Sequence, residues 1–226
     1  MPQAVRAVRT VSAVDAVGDD IRRRLFDGEL TGGALVTEAV VAGEYQVSRS
    51  TAKAAIEKLT GEGLLERSAN RSARVPVLTA TDVRDIYRTR LRLESAALRE
   101  LAADARAPRE AVAANARVRA AGAGSAGASG ASIASVEPDM RFHAALVEAV
   151  GSERLQRMYG SLVDEVRLCM SQVQGRSLLA VERIAAEHDE ILARLAAGDA
   201  EGAVEVLAEH LGRASARLEA ALAAEQ

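Results

Sequence analysis

Apolar side chains return every third or fourth position through most of this chain, the period of a helix with one buried face. Val14, Val17, Ile21 and Leu25 mark a first helix, which "DGELTGG" ends with glycines. A short helix is expected from about Thr37 to Glu44. Ser48 is a natural N-cap for a third helix, in which Ala52, Ala55, Ile56 and Leu59 share the buried face up to Gly61–Gly63. The stretch "LLERSANRSARVPVL" breaks the helical period and predicts two short strands about a polar turn at Ser68–Ser72. Helix, turn, helix and hairpin outline a winged helix-turn-helix over residues 1–78.

Beyond Thr79 the helical period predicts six helices, near 81–106, 109–120, 136–150, 152–173, 178–197 and 200–222. The run "AGAGSAGASGASIAS" (121–135) is rich in Gly, Ser and Ala and reads as a mobile loop. With Ser135 as N-cap, Pro138 falls in the first turn of the next helix, where its missing N–H is tolerated. The expected fold is mainly α: the winged helix-turn-helix, then an all-α bundle of about six helices over 79–226.

Composition supports the helical reading, with abundant alanine and only 2% aromatic residues. The net charge of −3 carries no global nucleic-acid signature, but it is unevenly placed. Residues 1–78 hold 11 Lys and Arg against 10 Asp and Glu, and the rest holds 18 against 22. The acid excess therefore lies in the bundle, which leaves the head as the candidate for DNA. A single cysteine, Cys169, in an apolar helical stretch excludes an internal disulfide and reads as a core thiol. The N-terminus shows no signal-peptide pattern, and no apolar run approaches a membrane span. The expectation is a cytoplasmic protein with no membrane partner.

Within the head, the start of the second helix of the motif is the part that enters a major groove. Here it is "SRSTAK", residues 48–53. Arg49 and Lys53 stand one turn apart and can meet guanine edges or phosphates. Ser48, Ser50 and Thr51 add hydroxyls at the same helix start. Asn70 and Arg71 lie at the wing tip, suited to the minor groove or backbone. The partner this predicts is double-stranded operator DNA.

In the bundle, Asp139 and His143 are one turn apart on a face shared with Phe142, Leu146, Val147 and Val150. His188 falls among Val181, Ile184, Leu192 and Leu195, while the neighbouring Glu187, Asp189 and Glu190 turn away from that face. His210 falls among Ala203, Val206, Leu207 and Ala214. All three histidines of the chain thus face helix interiors, where unpaired polar groups are costly. Imidazoles and a carboxylate converging in a bundle form a site for a divalent transition metal, zinc first and nickel next. Arg90 shares a buried face with Val83, Ile86, Tyr87, Ala97 and Leu101. A buried guanidinium needs an anion. Glu94, at i+4, could supply it, or a small carboxylate effector bound beside the metal could be gripped bidentately.

The head and the bundle both resemble a known family. The segment "VSRSTAKAAIEKLTGEGLLERSANRSARV" is similar to the winged helix of GntR-family regulators, V-S-R-T-P-V-R-E-A-L-R-R-L-E-A-E-G-L-V followed by R-P-N-R-G-A-F-V. Val47, Ser48, Arg49, Ala55, Leu59, Glu62, Gly63, Leu64, Asn70, Arg71, Ala73 and Val75 match. The glycine usual before V-S-R is Gln46, the T-P-V-R segment is Ser50–Thr51–Ala52–Lys53, and the wing glycine is Ser72. Lysine at 53 cannot reproduce bidentate arginine recognition, so an operator cannot be borrowed from relatives.

In the bundle, "DIYRTRLRLE" (85–94) resembles L-Y-E-V-R-x-x-L-E, "DMRFH" (139–143) resembles D-x-x-F-H, and "EHDEIL" (187–192) resembles E-H-x-x-I-L. These patterns belong to the FCD subgroup, with a FadR-type C-terminal domain, and six helices resemble its VanR-type branch. The resemblance implies that Asp139, His143, His188 and His210 are metal ligands. It also implies a homodimeric regulator, more often a repressor. Two rival readings of the quartet remain: a hydrolase whose metal activates water, and a metal that only welds the bundle.

Overall fold

The computed structural model describes residues 12–67, 71–124, 133–173 and 181–224. They form nine helices and two short strands in two compact units that divide between Val77 and Leu78.

The first unit opens with α1 (Ala13–Phe26), whose N-cap Ser12 accepts from the backbone of Asp15 and which buries Val17, Ile21 and Leu25. Strand β1 (Leu35–Val36) leads into α2 (Glu38–Glu44). Helix α3 (Arg49–Gly61) starts at Ser48, whose hydroxyl accepts from Thr51 N–H, and buries Ala52, Ala55, Ile56 and Leu59. Strand β2 (Ala73–Arg74) then pairs antiparallel with β1.

The expected hairpin is only partly formed. Glu66 and Arg74 make an isolated bridge, and the fuller partner of Arg74 and Ala73 is Leu35–Val36. A two-residue strand is too short to show alternation, so β1 left no periodic trace in the sequence.

Six helices make the second unit: α4 (Ala80–Ala102), α5 (Arg109–Gly124), α6 (Ile133–Glu148), α7 (Glu153–Gln172), α8 (Val181–Ala196) and α9 (Ala200–Ala223). A reciprocal capping box between Thr79 and Asp82 opens α4, satisfying two donors at once. The core gathers Leu98, Phe142, Leu146, Val166, Leu207 and Leu211, with α4 against α9 and α5 against α6 and α8. Cys169 is buried there, and burial pushes its thiol up to about 12. No described helix is long and apolar enough to cross a membrane.

Three boundaries differ from the periodic reading. Helix α4 stops at Ala102 rather than 106: residues 103–106 are exposed, and Ala105 adopts a positive φ of 48°. Helix α5 continues to Gly124 and α6 begins at Ile133, so both ends of the expected 121–135 loop are helical. Residues 125–132 of that loop lie outside the described residues, as do 174–180 at the expected start of α8. Ser135 is therefore inside α6 rather than its N-cap. Pro138 is also an interior residue, leaving one turn short of a hydrogen bond.

Candidate metal centre

In the first unit the expected DNA-reading side chains among the described residues lie at the start of α3 and at the wing. Ser48, Arg49, Ser50, Lys53 and Arg71 are exposed, and Thr51 is half-buried. The Ser48 hydroxyl lies 2.8 Å from both Ser50 Oγ and Thr51 Oγ1, so its first task is to cap α3. Lys53 stands 3.6 Å from Glu57, one turn along the exposed face. Arg71 stands at the wing, where its carbonyl accepts from Arg67 Nε. Asn70 lies outside the described residues.

In the second unit every helix sends a polar side chain to the centre. Asp139 and His143 come from α6, His188 from α8 and His210 from α9, and one ligand atom from each lies within 4.8 Å of all the others. All four are buried. His143 Nε2 is 3.1 Å from His210 Nε2 and 3.8 Å from Asp139 Oδ1, and His188 Nε2 is 3.3 Å from the same oxygen. Phe142 stacks flat on His188, with ring centroids 3.6 Å apart, and walls the site.

The other nitrogen of each imidazole has its own acceptor. His143 Nδ1 meets Glu94 Oε2 at 2.6 Å, His188 Nδ1 meets Asn115 Oδ1 at 3.1 Å, and His210 Nδ1 meets Glu187 Oε2 at 2.8 Å. A carboxylate can only accept, so Nδ1 of His143 and of His210 carries the proton. Their Nε2 lone pairs then face each other at 3.1 Å, an arrangement that only a cation or an extra proton relieves. His188 Nε2 and Asp139 Oδ1 are likewise buried without a hydrogen-bond partner.

Burial drives His188 down to about 4 and lowers His143, which keeps both imidazoles neutral and able to donate a lone pair. Three imidazole nitrogens, each ring held from behind by an acceptor, and one carboxylate oxygen suit a divalent transition metal.

Arg90 lies on α4 beside the quartet, 1% exposed. Its Nε donates to Glu94 Oε1 at 3.1 Å, so the internal ion pair exists. It does not use the whole fork, because Nη2 is buried without a partner. Tyr159 donates to the same Glu94 oxygen at 2.6 Å, and the ring of Tyr87 lies 5.1 Å from the guanidinium carbon. Burial alone would raise Glu94, but His143, Arg90 and Tyr159 bring it down to about 2.

Four supporting residues differ from the sequence reading or were absent from it. Glu94 serves His143 as well as Arg90. Glu187 was expected to turn away from the site, yet it reaches His210 on the neighbouring helix and is clamped by Arg183 and Arg213. A turn of 100° from His188 aims it at α9, not at water. Asn115 and Tyr159 were missed. Each sits on an apolar face, Asn115 with Ala111, Ala114 and Val118, and Tyr159 with Val163 and Val166. The test that isolated the histidines would have found both.

A winged helix followed along the chain by a helical bundle with a buried Asp–His cluster is the architecture of a DNA-binding regulator. The family comparison agrees. Residues 13–75 match the model of bacterial regulatory proteins of the gntR family, and residues 85–213 match the FCD domain. The chain belongs to the GntR family of transcriptional regulators, in its FCD group. It is 27% identical over 208 residues to the HTH-type transcriptional regulator BphR of Paraburkholderia xenovorans (strain LB400), covering 88% of this chain and 82% of that one. Its fold is similar to a GntR transcriptional regulator from Rhodococcus sp. RHA1, with TM-score 0.74, 24% identity, and 92% and 98% of the two chains covered. It is also similar to McbR/YncC of E. coli, with TM-score 0.72, 21% identity, and 92% and 98% covered. FCD domains bind metals, and the Asp–His quartet offers such a site. The hydrolase reading finds no support among these relatives.

Proposed function

We propose that this regulator's affinity for its operator is set by a small carboxylate bound in the bundle next to a divalent transition metal, zinc first. Asp139, His143, His188 and His210 would hold the ion, which supplies a Lewis-acid position for one carboxylate oxygen. Arg90 receives the other end of that anion through its Nη2. The observation that carries this reading is a set of three buried atoms that lack partners within one site: His188 Nε2, Asp139 Oδ1 and Arg90 Nη2. Two of them want a cation and the third an anion.

On the DNA side, Ser48, Arg49, Ser50, Thr51, Lys53, Asn70 and Arg71 form the reading surface. A homodimer would present two such surfaces to a palindromic operator in the cytoplasm. Effector binding favours one arrangement of the two heads, and that difference in affinity changes operator occupancy, most simply as release of a repressor. Six described helices after the wing favour the VanR-type branch.

The test combines metal analysis with DNA binding. Purified protein should carry about one divalent ion per chain and shift a labelled fragment of its own upstream region. A panel of small mono- and dicarboxylates should yield a compound that releases the DNA from wild type but not from Arg90→Ala. Metal present, with no carboxylate acting through Arg90, would leave the ion a purely structural role. Undiminished metal in His143→Ala, or no metal in wild type under zinc loading, would remove the centre itself.

A further inference from the structure

We infer that Asn115 is a positioning residue, setting which nitrogen of His188 carries the proton and so keeping the Nε2 lone pair toward the quartet. It rests on the metal reading above for its purpose, but not for its geometry. The amide of Asn115 is pinned on its donor side: Nδ2 donates to the carbonyl of Ala185 at 3.0 Å and to Asp189 Oδ1 at 2.8 Å. Both partners can only accept, so the amide cannot flip, and Oδ1 is the atom left facing His188 Nδ1 at 3.1 Å. An amide oxygen donates nothing. His188 Nδ1 must therefore carry the proton, and its Nε2 turns a lone pair toward Asp139.

This histidine needs such help more than its neighbours. His143 and His210 are backed by carboxylates, which fix the tautomer outright. His188 is backed by a neutral group while Asp139 Oδ1 lies 3.3 Å from its Nε2, and that carboxylate draws the proton to the wrong nitrogen. Asn115 holds against this pull only because its own orientation is locked. The lock extends outward: Asp189 is half-exposed and pairs with Arg119, also half-exposed and one turn along α5 from Asn115. A chain of four side chains thus runs from the surface of α5 and α8 to the inner face of His188.

Selective ¹⁵N-histidine labelling of the full-length, metal-free protein tests this directly, since the chain has three histidines. Wild-type His188 should show the Nδ1–H tautomer. Asn115→Leu should move it to Nε2–H and weaken zinc, measured against a competing chelator, by about 10- to 100-fold. Asn115→Asp, which still offers Nδ1 an acceptor, should keep the Nδ1–H form and lose less zinc affinity than Asn115→Leu. Packing alone predicts the reverse order, because leucine suits a buried slot and a second carboxylate beside Asp189 does not.

An Nε2–H tautomer in wild type, or an unchanged Nδ1–H in Asn115→Leu, overturns the proposal. The wild-type spectrum decides even if the leucine variant fails to fold, and Asn115→Ala provides a smaller replacement. A tautomer that switches in a protein that takes up no zinc would refute the metal reading and leave the role of Asn115 standing.

Discussion

Glu94 Oε2 lies 2.6 Å from Nδ1 of His143, while its Oε1 accepts from Arg90 Nε at 3.1 Å and from the Tyr159 hydroxyl at 2.6 Å. One buried carboxylate therefore holds an imidazole of the quartet and the Arg90 guanidinium together. Glu94→Gln keeps the shape but removes the charge. Two effects should follow. Divalent metal affinity should fall about 10- to 100-fold by chelator competition, because His143 loses its fixed tautomer. Denaturant unfolding should show a loss of about 3 kcal/mol, because Arg90 is left buried without its counter-ion. Unchanged metal affinity would show that Glu94 serves only the ion pair.

Metal removal should be felt as lost stability. An ion that binds the folded bundle at a hundred times its dissociation constant stabilises it by about 2.7 kcal/mol. Dialysis against a chelator should therefore lower the melting midpoint, and zinc or nickel chloride should restore it. His210→Ala should melt lower than wild type and no longer respond to either treatment, since the opposed Nε2 pair at 3.1 Å is gone. A wild-type midpoint indifferent to both chelator and added metal would count against the centre.

Much of this site was legible before any coordinates, and the reason is physical. Asp139, His143, His188, His210 and Arg90 are long polar groups on helix faces otherwise made of Val, Leu, Ile and Phe, and a helical period makes such exceptions visible. Asn115 obeys the same rule, but on an alanine-rich helix the apolar face is faint. Glu187 breaks the rule, because its role depends on where α9 lies, and no single-helix argument contains that. The same division holds for the fold. Long periodic helices were placed well, whereas β1 is two residues long and α4's end depends on one left-handed alanine.

The turn between α2 and α3 carries a strained residue. Gln46 has a φ of +52°, where a side chain costs about 1–2 kcal/mol and glycine costs little. This is the position at which the family pattern has glycine. Gln46 is exposed, so its side chain has little packing to lose. Gln46→Gly should stabilise the head by about 1 kcal/mol, seen as a higher unfolding midpoint, and the β-branched Gln46→Val should lower it. Equal midpoints for all three would mean the turn relaxes without cost.

On the DNA-reading role proposed for α3, two substitutions should separate DNA affinity from DNA specificity. Lys53 carries a mobile point charge, weakly held at 3.6 Å from Glu57, so it suits a phosphate. Lys53→Ala should weaken binding to operator and unrelated DNA alike and reduce the slope of log affinity against log salt by about one. Arg49 is exposed at the first position of α3, where a planar fork can read guanine O6 and N7. Arg49→Ala should cost about 1–3 kcal/mol on the operator and relax preference at one base pair in each half-site. Ser48→Ala provides the control: it removes the cap on Thr51 N–H and should cost about 1 kcal/mol of folding stability. Its melting midpoint should therefore drop, while those of Lys53→Ala and Arg49→Ala stay near wild type. If Arg49→Ala instead weakened all sequences equally, its contact would be to the backbone, and base reading would have to come from elsewhere on the helix or from the wing.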